Sequence, residues 1–256
     1  MRIPMPRFRL ALAFALALAA PLAAPAAPLD LTNMSDSDRA AFQQEVRTYL
    51  LAHPEVLVEA IKELDARQAA QQEQSDVQLV KSNADALFKD GYSFVGGNPD
   101  GNVTLVEFLD YRCAYCRKAY DEVSQLVKGD GNIRFVVKEF PILGQQSEIS
   151  SRYAIAVMQA DGPAAYAKVH DALMTFRGEV NATSLTELSA KFGLDAKDLL
   201  ARMNSDAVTQ VITENRSLGD TMQISGTPTF VLADQMIRGY LPLDGMKEIV
   251  TKVRSE

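Results

Sequence analysis

The sequence predicts an α/β domain carrying a helical insertion, preceded by a separate helical segment. Two observations carry this expectation. After residue 91 the hydrophobic patterns run β–α–β–helices–β–β–α, and before it apolar residues recur at helical spacing. A chain of 256 residues with 47% hydrophobic and 23% charged side chains has ample material for a packed core.

Residues 1–27 carry Arg2, Arg7 and Arg9 with no acid, then an alanine/leucine run from Leu10 to Ala20, then small residues with Pro21 and Pro25. This is the pattern of a secretory signal peptide, assigned to residues 1–26, with Ala24 and Ala26 as the A-x-A site. The alternative, an uncleaved anchor, is opposed by an apolar run shorter than the ~20 residues that span a bilayer. Cleavage removes three arginines and no acid, which takes the formal charge from -7 to -10. Such an acidic chain is not expected to bind nucleic acid. Two histidines, His53 and His170, exclude a multi-histidine metal site and leave a Ser-His-Asp hydrolase only one of two candidates. The N-x-S/T matches at Asn33, Asn102, Asn181 and Asn215 read as chance.

Residues 27–90 are expected to form a helical stalk for oligomerisation. Phe42, Val46 and Leu50 share a face. His53-Pro54 breaks the run, and Val56, Leu57, Ala60, Ile61 and Leu64 resume it. The polar stretch 65–76 has little to bury, which suits a linker or an assembly with another chain. Val77, Leu79, Val80, Ala84 and Leu87 are apolar again, so a cap lying on the main domain is the alternative.

Within residues 91–256 the predicted elements follow in order. Tyr92–Val95 and Val103–Leu109 read as strands around a GGNPDG turn. A helix begins at the cysteines and ends near Lys128, and Ile133–Val137 is a third strand. Residues 146–223 read as helices broken at Gly162-Pro163, Thr183-Ser184 and Gly193, with the insertion placed at about 146–205. Thr183 or Ser184 is the expected cap, supported by Glu187. A hairpin, Thr229–Leu232 with Met236–Arg238, precedes a final helix from Asp244 to Val253.

Both cysteines lie in Cys113-Ala114-Tyr115-Cys116, at the junction of strand and helix. A sulfur at a helix start faces free backbone N–H groups and the positive end of the dipole, which favour the attacking thiolate. Cys116, one turn on, is placed to resolve a mixed disulfide. A structural disulfide would close too small a loop to stabilise much. A zinc site would lack its other ligands, whereas Cys113 and Cys116 together could ligate copper(I). Downstream, Pro228 precedes a β-run, where a cis peptide bond is possible.

Strand–CxxC–helix, a helical interruption, then Thr-Pro before a hairpin resembles the DsbA-type thioredoxin-fold thiol:disulfide oxidoreductases over residues 92–256. VEFLDYRCAYC resembles their active-site stretch, VVKEFPILG their next strand and loop, and SGTPTF their cis-proline loop. FQQEVRTYLLAHPEVLVEAIKEL resembles the leading segment of the ScsC (suppressor of copper sensitivity) branch. The resemblance implies a thioredoxin fold with Cys113 as exposed nucleophile and Cys116 as buried resolving thiol. Pro228 would be the cis-proline, with the Thr227 backbone pairing to a substrate strand, and Glu107 a buried acid moving protons for Cys116. Ala114-Tyr115 replaces the Pro-His of strongly oxidising members, which leans toward isomerase or reductase work. No cofactor is implied. The implied partners are client proteins with cysteines and a membrane redox partner, either an ScsB/DsbD-type reductase or a DsbB-like oxidase. The implied setting is the periplasm, and the implied assembly a homo-oligomer, with a trimer favoured. A dithiol oxidase and a copper(I)-sequestering protein are the other two readings.

Overall fold

The computed structural model describes residues 32–255; the signal-peptide assignment falls outside them. The chain divides into two units between Ile61 and Lys62. In the first, α1 (Asp36–Ala52) starts at Ser35, whose hydroxyl accepts from Asp38 N, and ends at His53. Pro54 separates it from α2 (Glu55–Ser82). No residue of α1 is buried, and Phe42, Val46, Tyr49, Leu51, Leu57, Val58 and Ile61 all stand exposed.

The second unit is built on a five-stranded mixed sheet of β1 (Phe94–Gly97), β2 (Val103–Leu109), β3 (Ile133–Glu139), β4 (Thr229–Leu232) and β5 (Gln235–Arg238), in the order β1-β3-β2-β4-β5. Only β2 and β3 run parallel. They are joined through α4 (Ala114–Asp130), as a parallel pair requires a crossover. Side-chain alternation divides the core. Val103 and Leu105 of β2 meet Ala119, Val123 and Leu126 of α4, together with Met246 and Val250 of α10 (Leu243–Ser255). Val106 and Phe108 point the other way, onto Val80 of α2, Leu87 of α3 (Ala84–Phe88), and Leu218 and Met222. Between β3 and β4 the insertion comprises α5 (Gln145–Asp161), α6 (Pro163–Thr175), α7 (Ala182–Phe192), α8 (Ala196–Arg202) and α9 (Asp206–Thr221).

Several details differ from the sequence expectations. The second half of α2 and α3 belong with the sheet, because Val80 and Leu87 bury there and Asp76 and Lys81 pair with Arg238 and Asp234 of the β4–β5 hairpin. The apolar residues 77–87 thus act as the cap considered as an alternative. The first strand begins two residues later than predicted, since Asp90 Oδ1 accepts from Tyr92 N and Ser93 N and holds them in a turn. Gly96 and Gly97, read as turn, pair with Phe135 and Arg134. Gly97 is required there: its φ is +67°, and a Cβ would lie 2.4 Å from Ile133 O. The cap of α7 is Asn181, which exchanges hydrogen bonds with Ser184 in a capping box; Thr183 and Ser184 lie inside the helix.

Candidate active site

Cys113 is the N-cap of α4, with extended backbone (φ -70°, ψ 121°). Asp110 builds this turn. Its carbonyl accepts from Cys113 N at 3.0 Å and its Oδ1 from Arg112 N at 2.8 Å. Its Oδ2 accepts from Ile142 N and Leu143 N, which fixes the loop after β3 beside the cysteines. Cys113 Sγ in turn accepts from Cys116 N at 3.5 Å. Across from it the Thr227–Pro228 peptide is cis, and the Thr227 carbonyl oxygen lies 3.1 Å from Sγ.

The two thiols are driven apart in acidity. Cys113 is lowered to about 5, first because the Cys116 thiol donates to its sulfur, and further by the Thr227 hydroxyl and the Cys116 and Tyr115 N–H groups, which outweigh burial. The Thr227 carbonyl can accept only from the thiol form and works the other way. Cys116 is fully buried and pushed far up by burial, its bond to Cys113 and the charge of Glu107. One cysteine is therefore a ready nucleophile and the other a reserve of proton and sulfur. Cys113 is only 7% exposed, so it is not the exposed thiol that the resemblance implied. The alternation of tip and cover is plain in the next residues, where Ala114 and Tyr115 stand exposed and Tyr115 is 60% accessible.

Glu107 sits in β2 between Val137 and Phe230 of its neighbours, almost wholly buried. Its Oε1 has no hydrogen-bond partner among the described residues. Burial, then the charges of Cys113 and Glu139, push its pKa up to about 8, so near neutrality it can both hold and release a proton. Glu107 and His170 line one cavity of about 420 Å³, with Phe94, Phe135 and Tyr120 among its walls.

A second buried acid was missed in the sequence. Glu139 Oε1 accepts from Tyr111 Oη at 2.7 Å and from Tyr166 Oη at 2.5 Å, and Tyr111 Oη lies 3.1 Å from His170 Nδ1. Burial raises Glu139 to about 7 and lowers His170 to about 4, so the histidine is neutral. The signal available was Lys138-Glu139 inside a β-rich run: strand alternation sends the two charges to opposite faces, and each then needs a buried partner.

A pH profile tests this electrostatic reading. Alkylation of Cys113 by iodoacetamide in the reduced chain is expected to rise with a midpoint near pH 5 and to be flat through neutrality. A midpoint near 9 would show that the thiolate is not stabilised. Since the folded-state pKa of Cys113 is lowered, the thiolate adds stability that is fully present above pH 9. That contribution shrinks below this and is gone once pH falls past about 5.

Among the described residues no helix is long and apolar enough to cross a membrane, and no cluster of three or more His, Cys, Asp or Glu could hold a metal. The family model described as thioredoxin matches residues 89–252, and that of the copper resistance protein ScsC N-terminal domain matches residues 38–71. A thioredoxin-like oxidoreductase from Silicibacter pomeroyi is 38% identical, with 68% of this chain and 99% of that one covered and a TM-score of 0.63. BcfH of Salmonella enterica Typhimurium is 30% identical over 84% of this chain and 96% of its own, with a TM-score of 0.72. ScsC of Proteus mirabilis in a transitional conformation is 26% identical over 86% and 98%, with a TM-score of 0.63. The chain spans about a quarter of the length of the NhaA-type Na(+)/H(+) antiporters that it also matches. Because the matched span takes in the whole sheet, both cysteines and the Thr227–Pro228 loop, the chain belongs to the thioredoxin family.

Proposed function

We propose that this chain is a periplasmic thiol:disulfide oxidoreductase acting on client proteins, working chiefly as a disulfide isomerase held reduced by a membrane partner. The observation that carries this is the split acidity of Cys113 and Cys116 at the start of α4. Cys113 thiolate attacks a client disulfide, forming one S–S bond while the client's other sulfur leaves as thiolate. A client thiol then displaces Cys113 to give a rearranged disulfide. Alternatively Cys116 gives its proton to Glu107 and attacks Cys113 Sγ, which releases the client reduced and leaves Cys113–Cys116 oxidised. Thr227 and Pro228 face the sulfur and would align the client strand, with Ala114 and Tyr115 touching it from the other side. The relatives' names support the chemistry: one is a thiol-disulfide exchange protein, alpha-DsbA2 of Wolbachia pipientis.

The isomerase assignment rests on assembly. The exposed apolar side chains of α1 and the start of α2 form a surface that a lone unit leaves in water, and the segment matches the ScsC N-terminal model. A homo-oligomer, read as a trimer, would hold one misfolded client between several thiolates and raise their effective concentration. A dithiol oxidase is the second reading, favoured by the lowered Cys113 pKa, because a stabilised thiolate makes the disulfide form more oxidising.

One comparison separates them. The chain without residues 1–26 is expected to be oligomeric by light scattering and to reactivate scrambled ribonuclease catalytically when kept reduced. A monomer that fails to reactivate it but rapidly oxidises reduced ribonuclease would make the protein an oxidase.

A further inference from the structure

Four cations crowd the entrance to Cys113 in a chain that is acidic overall. Arg112 directly precedes the cysteine, and its Nη1 donates to Gly178 O at 3.2 Å, which brings it beside exposed Arg177. Arg117 Nε donates to Tyr111 O at 2.6 Å, on the same turn. The proximity is felt electrostatically: burial, then the charges of Arg112 and Arg177, lower Arg117. Lys118 stands on the same end of α4, 4.0 Å above the Tyr240 ring.

Among the described residues none of these four pairs with a carboxylate, whereas Arg152, Arg202, Arg216, Arg238 and Arg254 all do. Of the acids beside them, Asp110 is buried and spends both oxygens on backbone N–H groups, and Glu122, one turn from Lys118, accepts from Tyr240 Oη and Leu243 N. Glu179, close in sequence, forms no ion pair with them either. Four unpaired cations thus stand together where a partner must approach, beside the exposed apolar side chains Tyr115, Ile142 and Leu143.

The rim has little work to do on the cysteine itself, whose sulfur is already served by Cys116 and backbone donors. Unpaired cations beside a reactive atom raise the local concentration of anions and accelerate their encounter. We propose that Arg112, Arg117 and Arg177 form a specificity element selecting polypeptide partners whose reacting cysteine or disulfide is flanked by carboxylates. The partner fitted by the surface is a segment that places an apolar side chain against Tyr115 or Leu143 and acidic ones toward the arginines. This rests on the exchange reading of Cys113.

The test uses the reduced chain and two peptide disulfides that differ only in Asp or Lys beside the cysteine, plus a neutral Ser peptide. At about 20 mM salt, where screening is weak, the Asp peptide is expected to react roughly tenfold faster than the Lys peptide, and at about 500 mM the difference should nearly vanish. The Arg112→Gln/Arg177→Gln variant is expected to lose most of the preference while reacting with the Ser peptide within about twofold of the unaltered chain. Equal rates for the Asp and Lys peptides at low salt, or a preference intact in the variant, would overturn the proposal. Alkylation keeps it separate from the exchange reading. If no peptide reacts, the exchange reading fails, and the rim is judged by iodoacetate against iodoacetamide. A ratio raised over that of free cysteine and lost in the variant upholds the anion-selecting rim; an unchanged ratio sinks it.

Discussion

Cys113→Ser is expected to reduce thiol–disulfide exchange to the rate of buffer alone, and Cys116→Ser to accumulate stable mixed disulfides with clients. The asymmetry follows from the geometry. Only Cys113 has the N–H and thiol donors that keep it ionised near neutrality, and a serine hydroxyl in its place, with far lower acidity and nucleophilicity, cannot attack sulfur. Cys116 is fully buried and held protonated, so it acts only after Cys113 has bonded to a client. Replacing it removes the internal exit from the mixed disulfide. A Cys116→Ala chain, which has no side-chain donor at that position, should alkylate at Cys113 with its midpoint shifted upward from about 5. Non-reducing gels with a model client report the trapped species. Rapid turnover by either variant would remove the cysteines from the chemistry.

Lys138→Ala is expected to destabilise the α/β unit by about 3–5 kcal/mol, the usual cost of stranding one member of a buried ion pair. Lys138 is 0% exposed, and its ammonium bridges Asp90 and Ala86 O, the latter at 2.6 Å. Burial drives both groups toward neutrality, yet hydrogen bonds from Lys138 and the Ser93 hydroxyl hold Asp90 below the usual carboxylate range. The carboxylate's contribution is thus present above its ordinary pKa near 3.8 and lost as pH falls below it. Lys138→Met with Asp90→Asn should recover much of the loss, because the pair is then removed together and volume is kept. Denaturant unfolding of the single and double variants reads the difference. A Lys138→Ala loss under about 1 kcal/mol would mean that water reaches Asp90 and replaces the amine.

The cysteine pair and the proline of the candidate site were legible because they follow from local rules. A cysteine pair at a strand-to-helix junction, and a proline ahead of a β-run, are one-dimensional patterns, and the structure sets both around one sulfur. The exposed face of α1 was legible too, from the spacing of Phe42 and Val46. What escaped were residues whose meaning depends on distant partners. Val80 and Leu87 looked like stalk until the far face of the sheet offered Phe108 and Val136 to cover them. Glu139 lay beyond the strand predicted to end at Val137 and drew no reading, because its meaning comes from Tyr166, 27 residues on, which closes over its carboxylate. Arg112 and Arg117 drew no reading, since a sequence does not show that Arg177 arrives beside them or that the neighbouring Asp110 is spent on backbone N–H groups.

Sequence alone determined the order of the elements, the pairing of the two cysteines in one site, the helix that begins there and the acidic balance of the chain. These depend on periodicity, spacing and count, which need no neighbours beyond a few residues. Tertiary structure decided how far Cys113 is covered, which buried acids hold a proton near neutrality and where α2 stops being exposed and joins the core. Burial and Coulomb interactions act through space, so each of those properties is set by side chains that the fold, and not the chain order, brings together.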